Sequence, residues 1–228
     1  DELIHVLPDG TRDPNWRAPY FASGVLAILR VGPRLFVAGN FYDLPQFADR
    51  GVVALDTTTG ALLPWDARLG GDPFNRVERL AAAGNRLYLV GAFLSAGGQP
   101  RAGLAAVDAE TGTVLPGAFP TVLPYNVGGL AATPDAVYVS GTCQMASGAE
   151  SQGLCAYGPD GAPLAGWAPE RRGYGSLLAA GDRLYAAVSP AVQNASDYRV
   201  RALSLATGAD LGWTSPPITE PGIPGFVD

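Results

Sequence analysis

Lysine is missing altogether from the 228 residues, and histidine and methionine occur once each, as His5 and Met145. All fifteen basic residues are arginines and twenty-one acids outnumber them, for a net charge of -6. A chain this acidic lacks the electrostatic footprint for nucleic acid or for an anionic membrane surface. Its apolar runs are short and broken by Gly, Arg or Pro, which excludes a transmembrane helix and membrane insertion by one. One histidine and two cysteines leave little from which to build a metal centre, and no cofactor is expected. No charged region followed by an apolar stretch opens the chain at Asp1, so any signal peptide is expected to be removed or to lie outside this sequence.

What is plentiful is turn chemistry. Gly 30 and Pro 20 stand beside 47% hydrophobic and only 16% charged residues, enough apolar content for a sizeable core but a poor composition for helices. Four segments share one grammar: VLAILRVGPRLFVAGNF from Val25, VERLAAAGNRLYLVGAF from Val77, VGGLAATPDAVYVSGTC from Val127 and SLLAAGDRLYAAV from Ser176. Each is two apolar runs around a tight turn, the pattern of a β-hairpin. The turns begin at positions 32, 84, 134 and 181, a period of about fifty residues that suits a four-stranded propeller blade.

A second hairpin repeats behind the first. GVVALDTTTGALLPW begins at Gly51, GLAAVDAETGTVLPGAF at Gly103, GLCAYGPDGAPLAGW at Gly153 and RALSLATGADLGW at Arg201. All four tryptophans (Trp16, Trp65, Trp167, Trp213) fall at the end of this hairpin, and Phe119 takes that place in the remaining unit. An aromatic recurring once per repeat reads as a packing anchor rather than a ligand platform. The fold class is therefore all-β, a β-propeller of four-stranded blades forming a single domain over residues 1–228, with a partial repeat at about 1–23 and repeats at 24–75, 76–126, 127–174 and 175–228. The chain enters in mid-unit, because LIHVLPDGTRDPNW (3–16) is only the second hairpin, and 214–228 has room for one further strand. A five-bladed ring closed by both termini and a segment of a larger ring both fit. The exposed edges of an unclosed propeller favour the second.

LPDGTRDPNW (7–16) resembles the D-G-S-x-D-x-x-F hairpin of the delta-60 repeat β-propeller family of secreted bacterial proteins, and GAFLSAGGQPRAGLAAVDAETG (91–112) resembles that family's G-x-F-x-x-x-x-G-x-x-R-x-x-L-A-x-x-D-x-x-T-G core. The likeness extends over nearly all of the chain. It departs from the pattern where Cys143 replaces the Phe and where Ala187-Val188 follow without a Gly. The resemblance implies the propeller fold and a surface location, and it brings no catalytic residues with it.

Cys143 ends the second strand of the third unit and Cys155 lies early in its third strand. Antiparallel pairing of these strands brings them within disulfide reach. Such a bond belongs to an oxidising compartment or to a hyperthermophile's cytosol and would contribute roughly 2–3 kcal/mol; an extracellular or cell-surface location is expected.

One end of the units carries short turns, the other long loops that differ in every repeat, and variation on a rigid scaffold is where binding concentrates. The candidate ligand-binding residues there are Arg68, Asp72, Asn75, Arg101, Tyr125, Asn126, Arg171, Arg172 and Tyr174. Asp9, Thr11, Asp13 and Asn15 alternate as in a calcium loop, but Gly at the sixth place and an acid at the twelfth are missing, so Asp9-Gly10 reads better as a hairpin turn. Asp56 and Asp108 precede turns whose N–H groups a carboxylate can accept. Neither a carboxylate pair nor a nucleophilic triad is spelled out by the spacing of the acids or of His5. The expectation is a non-catalytic, secreted or cell-surface scaffold that binds a protein or a surface polysaccharide. A lectin-like propeller and a subunit of a surface layer or appendage, its first blade completed by another chain or a missing segment, are the alternatives.

Overall fold

The computed structural model describes residues 3–21, 24–41, 50–72, 75–117, 119, 121–122, 127–144, 150–170, 173–188 and 199–216. Within them the chain is all-β, with sixteen strands in small antiparallel sheets and no helix. The first full unit pairs β1 (Val25–Val31) with β2 (Arg34–Gly39) and β2 with β3 (Val52–Asp56). After the two-residue β4 (Leu69–Gly70), the second unit repeats this with β5 (Arg76–Ala83) and β6 (Arg86–Ala92). Two short strands, β7 (Ser95–Ala96) and β8 (Gln99–Pro100), precede its third strand, β9 (Leu104–Asp108). The third unit is β10 (Gly129–Ala132), β11 (Val137–Gln144) and β12 (Glu150–Tyr157). The fourth is β13 (Tyr174–Ala180), β14 (Arg183–Val188), β15 (Arg199–Ser204) and β16 (Asp210–Thr214).

Four strands per unit were expected, and only the last sheet has them. In the other units the outermost segment makes a single bridge: Val6 with Arg12, Leu55 with Leu62, Val107 with Val114 and Tyr157 with Pro163. Proline explains the difference. Pro14, Pro64, Pro116 and Pro163 lie in these segments and remove a ladder N–H, whereas DLGWT in the fourth unit contains none and forms a full strand.

The units stack face to face, with their first strands side by side. Phe36, Ala38, Val52, Ala54 and Trp65 of the first unit share one core with Val77, Leu87, Leu89, Ala105 and Val107 of the second. Tyr88, Val90, Leu104 and Phe119 then pack on Val137, Val139 and Tyr157. Tyr138, Leu154, Ala156 and Trp167 pack on Leu184, Ala186 and Leu203. Alternation along each strand sends one set of side chains to the preceding unit and the other to the following one.

Within every full unit an aromatic ring of the second strand meets the ring at the end of the outer segment. Ring centroids lie 5.0 Å apart for Phe36–Trp65, 6.1 Å for Tyr88–Phe119, 5.6 Å for Tyr138–Trp167 and 5.6 Å for Tyr185–Trp213. The indole N–H then reaches into the next unit: Trp16 Nε1 donates to the Thr57 carbonyl (3.2 Å), Trp65 Nε1 to that of Asp108 (3.4 Å) and Trp167 Nε1 to that of Leu205 (3.0 Å). One glycine per turn makes this approach possible. Gly60, Gly112 and Gly208 have φ of 76°, 76° and 75°, and a Cβ on Gly112 would lie 2.4 Å from the Asp66 carbonyl oxygen of the preceding unit. Trp16, Trp65 and Trp167 are accordingly buried. Trp213 departs from the expected anchor role, at 44% exposed, because no described unit follows it.

Cys143 and Cys155 form the disulfide, with 6.3 Å between Cα atoms. They are not opposite each other in the ladder: Cys143 faces Ser151 and Cys155 faces Val139. A four-residue offset along a straight ribbon would separate them by about 13 Å, so β11 and β12 fold over between them, at the pair Gly141–Gly153. Gly141, with φ of 133°, supplies a backbone conformation that a side chain would resist. The bond thus clamps a bent hairpin against the core between the second and third units.

Candidate binding surfaces

On the long-loop end, the link between the first and second units is built as a small ribbon of its own. Strand β4 pairs with β7 and β7 with β8, and the Arg68 carbonyl accepts from the N–H of Gly97 at 3.0 Å. Arg68 has a φ of 46°, held by its own N–H donating to Asp66 Oδ1 at 2.8 Å. The other carboxylate oxygen of Asp66 pairs with Arg50 at 3.4 Å. Arg68 itself is exposed and Asp72 half-buried. Arg101, also half-buried, turns its guanidinium back on the chain: Nη1 donates to the Pro100 carbonyl at 2.8 Å and Nη2 to that of Leu115 at 3.5 Å.

Two expected surface residues are structural. Asn75 is 3% exposed with φ of 42°, and its carbonyl lies so close to Gly51 that a Cβ there would stand 1.7 Å from the oxygen. Tyr174 is buried and its hydroxyl donates to the Glu170 carbonyl at 2.9 Å. Burial takes both off the loop surface. Tyr125, Asn126, Arg171 and Arg172 lie outside the described residues. Of the nine candidates, Arg68, Asp72 and Arg101 are therefore the ones placed around the β4–β7–β8 ribbon.

At the opposite end the turn carboxylates are consumed locally. Asp56 Oδ1 accepts from the Thr58 and Thr59 N–H groups and the Thr59 hydroxyl, which holds its carboxyl below the ordinary aspartate range. Asp108 does the same with Glu110 and Thr111; burial pushes its pKa up, but these donors outweigh it and the net shift is downward. Asp9 accepts from the Thr11 hydroxyl and N–H, the hairpin-turn arrangement. Asp13 accepts from the Asn15 N–H at 2.9 Å and pairs with His5 Nδ1 at 3.0 Å.

Sequence reasoning missed a third surface. An open cavity of about 310 Å³ lies between the partial opening unit and the first full one. His5 and Trp16 form one wall, with ring centroids 6.1 Å apart, and Ile28, Arg30 and Leu35 the other. Ile4 and Val6 beside it are exposed.

No protein-family model matches the chain, and no curated protein does either. Among solved structures it is similar to two computationally designed proteins. Ika4 shares 12% identity over 84% of this chain and 98% of its own, with a TM-score of 0.55. Ika8 shares 12% identity over 92% of this chain and 68% of its own, with a TM-score of 0.51. Similarity at this identity is one of fold.

Proposed function

We propose that the chain is a non-catalytic β-propeller, with four full blades and a partial one, that acts outside the cytoplasm of a bacterium as a scaffold for a protein partner. The observation that carries this reading is the locked loop end. The β4–β7–β8 ribbon fixes the backbone on which Arg68 stands exposed, and a preformed surface loses little entropy when it binds. The Cys143–Cys155 disulfide fits an oxidising compartment, and no helix among the described residues is long and apolar enough to cross a membrane.

The test compares the wild-type chain with Arg68→Asn, which removes the guanidinium while suiting the positive φ. Both are immobilised and offered surface extract and culture medium of the producing organism. A protein retained by the wild type and lost by the variant is the expected result, and equal recovery by both overturns the loop-end reading. A glycan panel read by thermal shift runs beside it. A saturable rise in Tm with one sugar class would replace the protein partner by a polysaccharide.

A further inference from the structure

The seams between the four full units are not built alike. Between the first and second, Trp65 and Phe93 fill one shared core. Between the second and third, Phe119 stands at the place of Trp65 and Cys143 at the place of Phe93, so two large side chains shrink at the same seam. Phe119 also has no N–H to give, whereas Trp65 and Trp167 each reach a turn carbonyl of the next unit. The Pro159 carbonyl, in the place of Leu205, accepts instead from Arg86 Nη1 at 2.6 Å. Tyr138 donates its hydroxyl to the Leu205 carbonyl at 3.0 Å. Its counterpart Tyr88 is buried beside the Arg86 guanidinium with no carbonyl to donate to among the described residues. A buried hydroxyl whose proton goes undonated costs free energy.

The disulfide lies at this same seam. Cys143 and Cys155 share a core with Tyr88, Val90, Leu104, Phe119 and Tyr157, and both are buried. The tip of the β11–β12 hairpin, folded over at the pair Gly141–Gly153, is held down by two ties. One is the bond itself. The other is the Tyr157 hydroxyl, which donates to the Gln144 carbonyl at 2.8 Å. From Val137, which faces Tyr157, to Gln144 a straight strand would run about 23 Å, far beyond the reach of a tyrosine. The tip therefore lies back over the core, where its side chains complete the seam. In the first unit Phe41 and Val53 keep the corresponding places by packing alone.

We propose that the Cys143–Cys155 bond is a redox latch on this seam: the dithiol chain folds with the hairpin tip lifted at Gly141 and Gly153 and the second and third units loosened, and oxidation closes them. The co-reactant is a small disulfide such as oxidised glutathione. One cysteine thiolate attacks it and expels a thiolate; the second cysteine attacks the mixed disulfide and expels the other. Two protons and two electrons leave the cysteine pair, and the oxidant ends as two thiols. Without the bond, the tip keeps one hydrogen bond and two side chains too small to replace Phe41. The neighbouring seams carry their tryptophans and do not depend on sulfur, so the loosening is confined to one cooperative part of the fold. A chain built this way reaches its closed form only where a disulfide oxidant is present. The inference goes beyond the scaffold reading and does not rest on it.

The test compares the full-length chain as disulfide and as dithiol, the second prepared by refolding it in the presence of a phosphine reductant. Amide hydrogen exchange is followed by mass spectrometry at neutral pH. Exchange across Val137–Gln144 and 153–157 should be at least about tenfold faster in the dithiol chain. Exchange in β1–β2 and β13–β16 should be unchanged, and oxidised glutathione should restore the slow rates. Equal exchange in both forms overturns the proposal. Acceleration in every unit together, or failure of the dithiol chain to refold, overturns it as well, because the bond would then be a condition of the whole fold. The variant Cys143→Phe/Cys155→Val carries the first unit's residues at these places and should exchange like the oxidised chain in either buffer. A folded variant as open as the dithiol chain would overturn the claim that the bond stands in for packing. None of these outcomes touches the scaffold reading, which stands or falls on the Arg68→Asn comparison.

Discussion

Trp65 and Trp213 hold the same place in their units and have opposite surroundings. Each lies against a second-strand ring, Phe36 at 5.0 Å and Tyr185 at 5.6 Å. Trp65 is buried, its N–H bonded to the Asp108 carbonyl of the next unit, whereas Trp213 is 44% exposed, and Leu178, which pairs with Tyr185 in the ladder, is 62% exposed. Yet the sheet around Trp213 is the better formed of the two, with a full outer strand and an ion pair between Arg201 and Asp210. A unit's own sheet therefore does not bury its tryptophan; the successor does. The core of this protein lies between units, and each unit supplies only half of two cores, which is the energetic logic of a repeat protein.

The comparison breaks most sharply by truncating the two rings in turn. Trp65→Ala removes a buried ring from a shared core and should cost about 3–5 kcal/mol. Trp213→Ala should cost about 1 kcal/mol, the value of one edge-to-face ring contact with part of its area. Chemical denaturation of both variants measures the gap. Equal costs would mean that the ring pair inside each sheet, not the interface, carries the energy.

How much of this was legible in the sequence follows from the same logic. Short-range chemistry was readable: the hairpins at Gly32, Gly84 and Gly181, the carboxylate turns at Asp56 and Asp108, the aromatic column and the cysteine pair all rest on residues close together in the chain. The loss of the outer strand was encoded in Pro64, Pro116 and Pro163 but needed the ladder to become visible. The loop end was read less well. Asn75 and Tyr174 have polar side chains in a long loop, and only the packed structure turns them inward. The cavity beside Trp16 was hidden for a different reason. Arg30 and His5 each break a column of alanines, a departure that only position-by-position alignment of the units exposes, and the repeat pattern draws attention to what recurs.

The disulfide sharpens the comparison at an interior interface. Cys143 and Cys155 stand where the first unit has Phe41 and Val53, neighbours in the core shared with Trp16, so the third unit holds by a bond what the first holds by packing. Cys143→Ser/Cys155→Ser should lower stability by roughly 2–3 kcal/mol, the value for a loop of about a dozen residues, less than truncating Trp65 and more than truncating Trp213. Unfolding with and without reductant should give the same figure for the wild type and no difference for the double variant. A reductant effect that survives in the variant would remove the disulfide as its cause.

The smallest effect concerns the turns that receive the indole N–H groups. Trp16 and Trp65 donate to turns organised by Asp56 and Asp108, while Trp167 donates to the carbonyl of Leu205, in a turn where Ser204 stands in place of the aspartate and its hydroxyl accepts from Thr207 N–H at 3.3 Å. Both carboxyls titrate below the ordinary aspartate range in the folded chain. A depressed carboxyl contributes stability that is fully present above the unfolded pKa of about 3.9 and is lost as pH falls through the folded value. Acid should therefore loosen the interfaces at Trp16 and Trp65 before the one at Trp167. Amide hydrogen exchange from pH 5 downward should register this order, with protection at Arg17 N–H, which donates to the Thr59 carbonyl, falling before that at Ala168 N–H, its counterpart on Thr207. Asp56→Asn, which cannot ionise, should flatten the acid response at Arg17 and leave Ala168 unchanged. Loss of both amides together would place the acid sensitivity outside these turns.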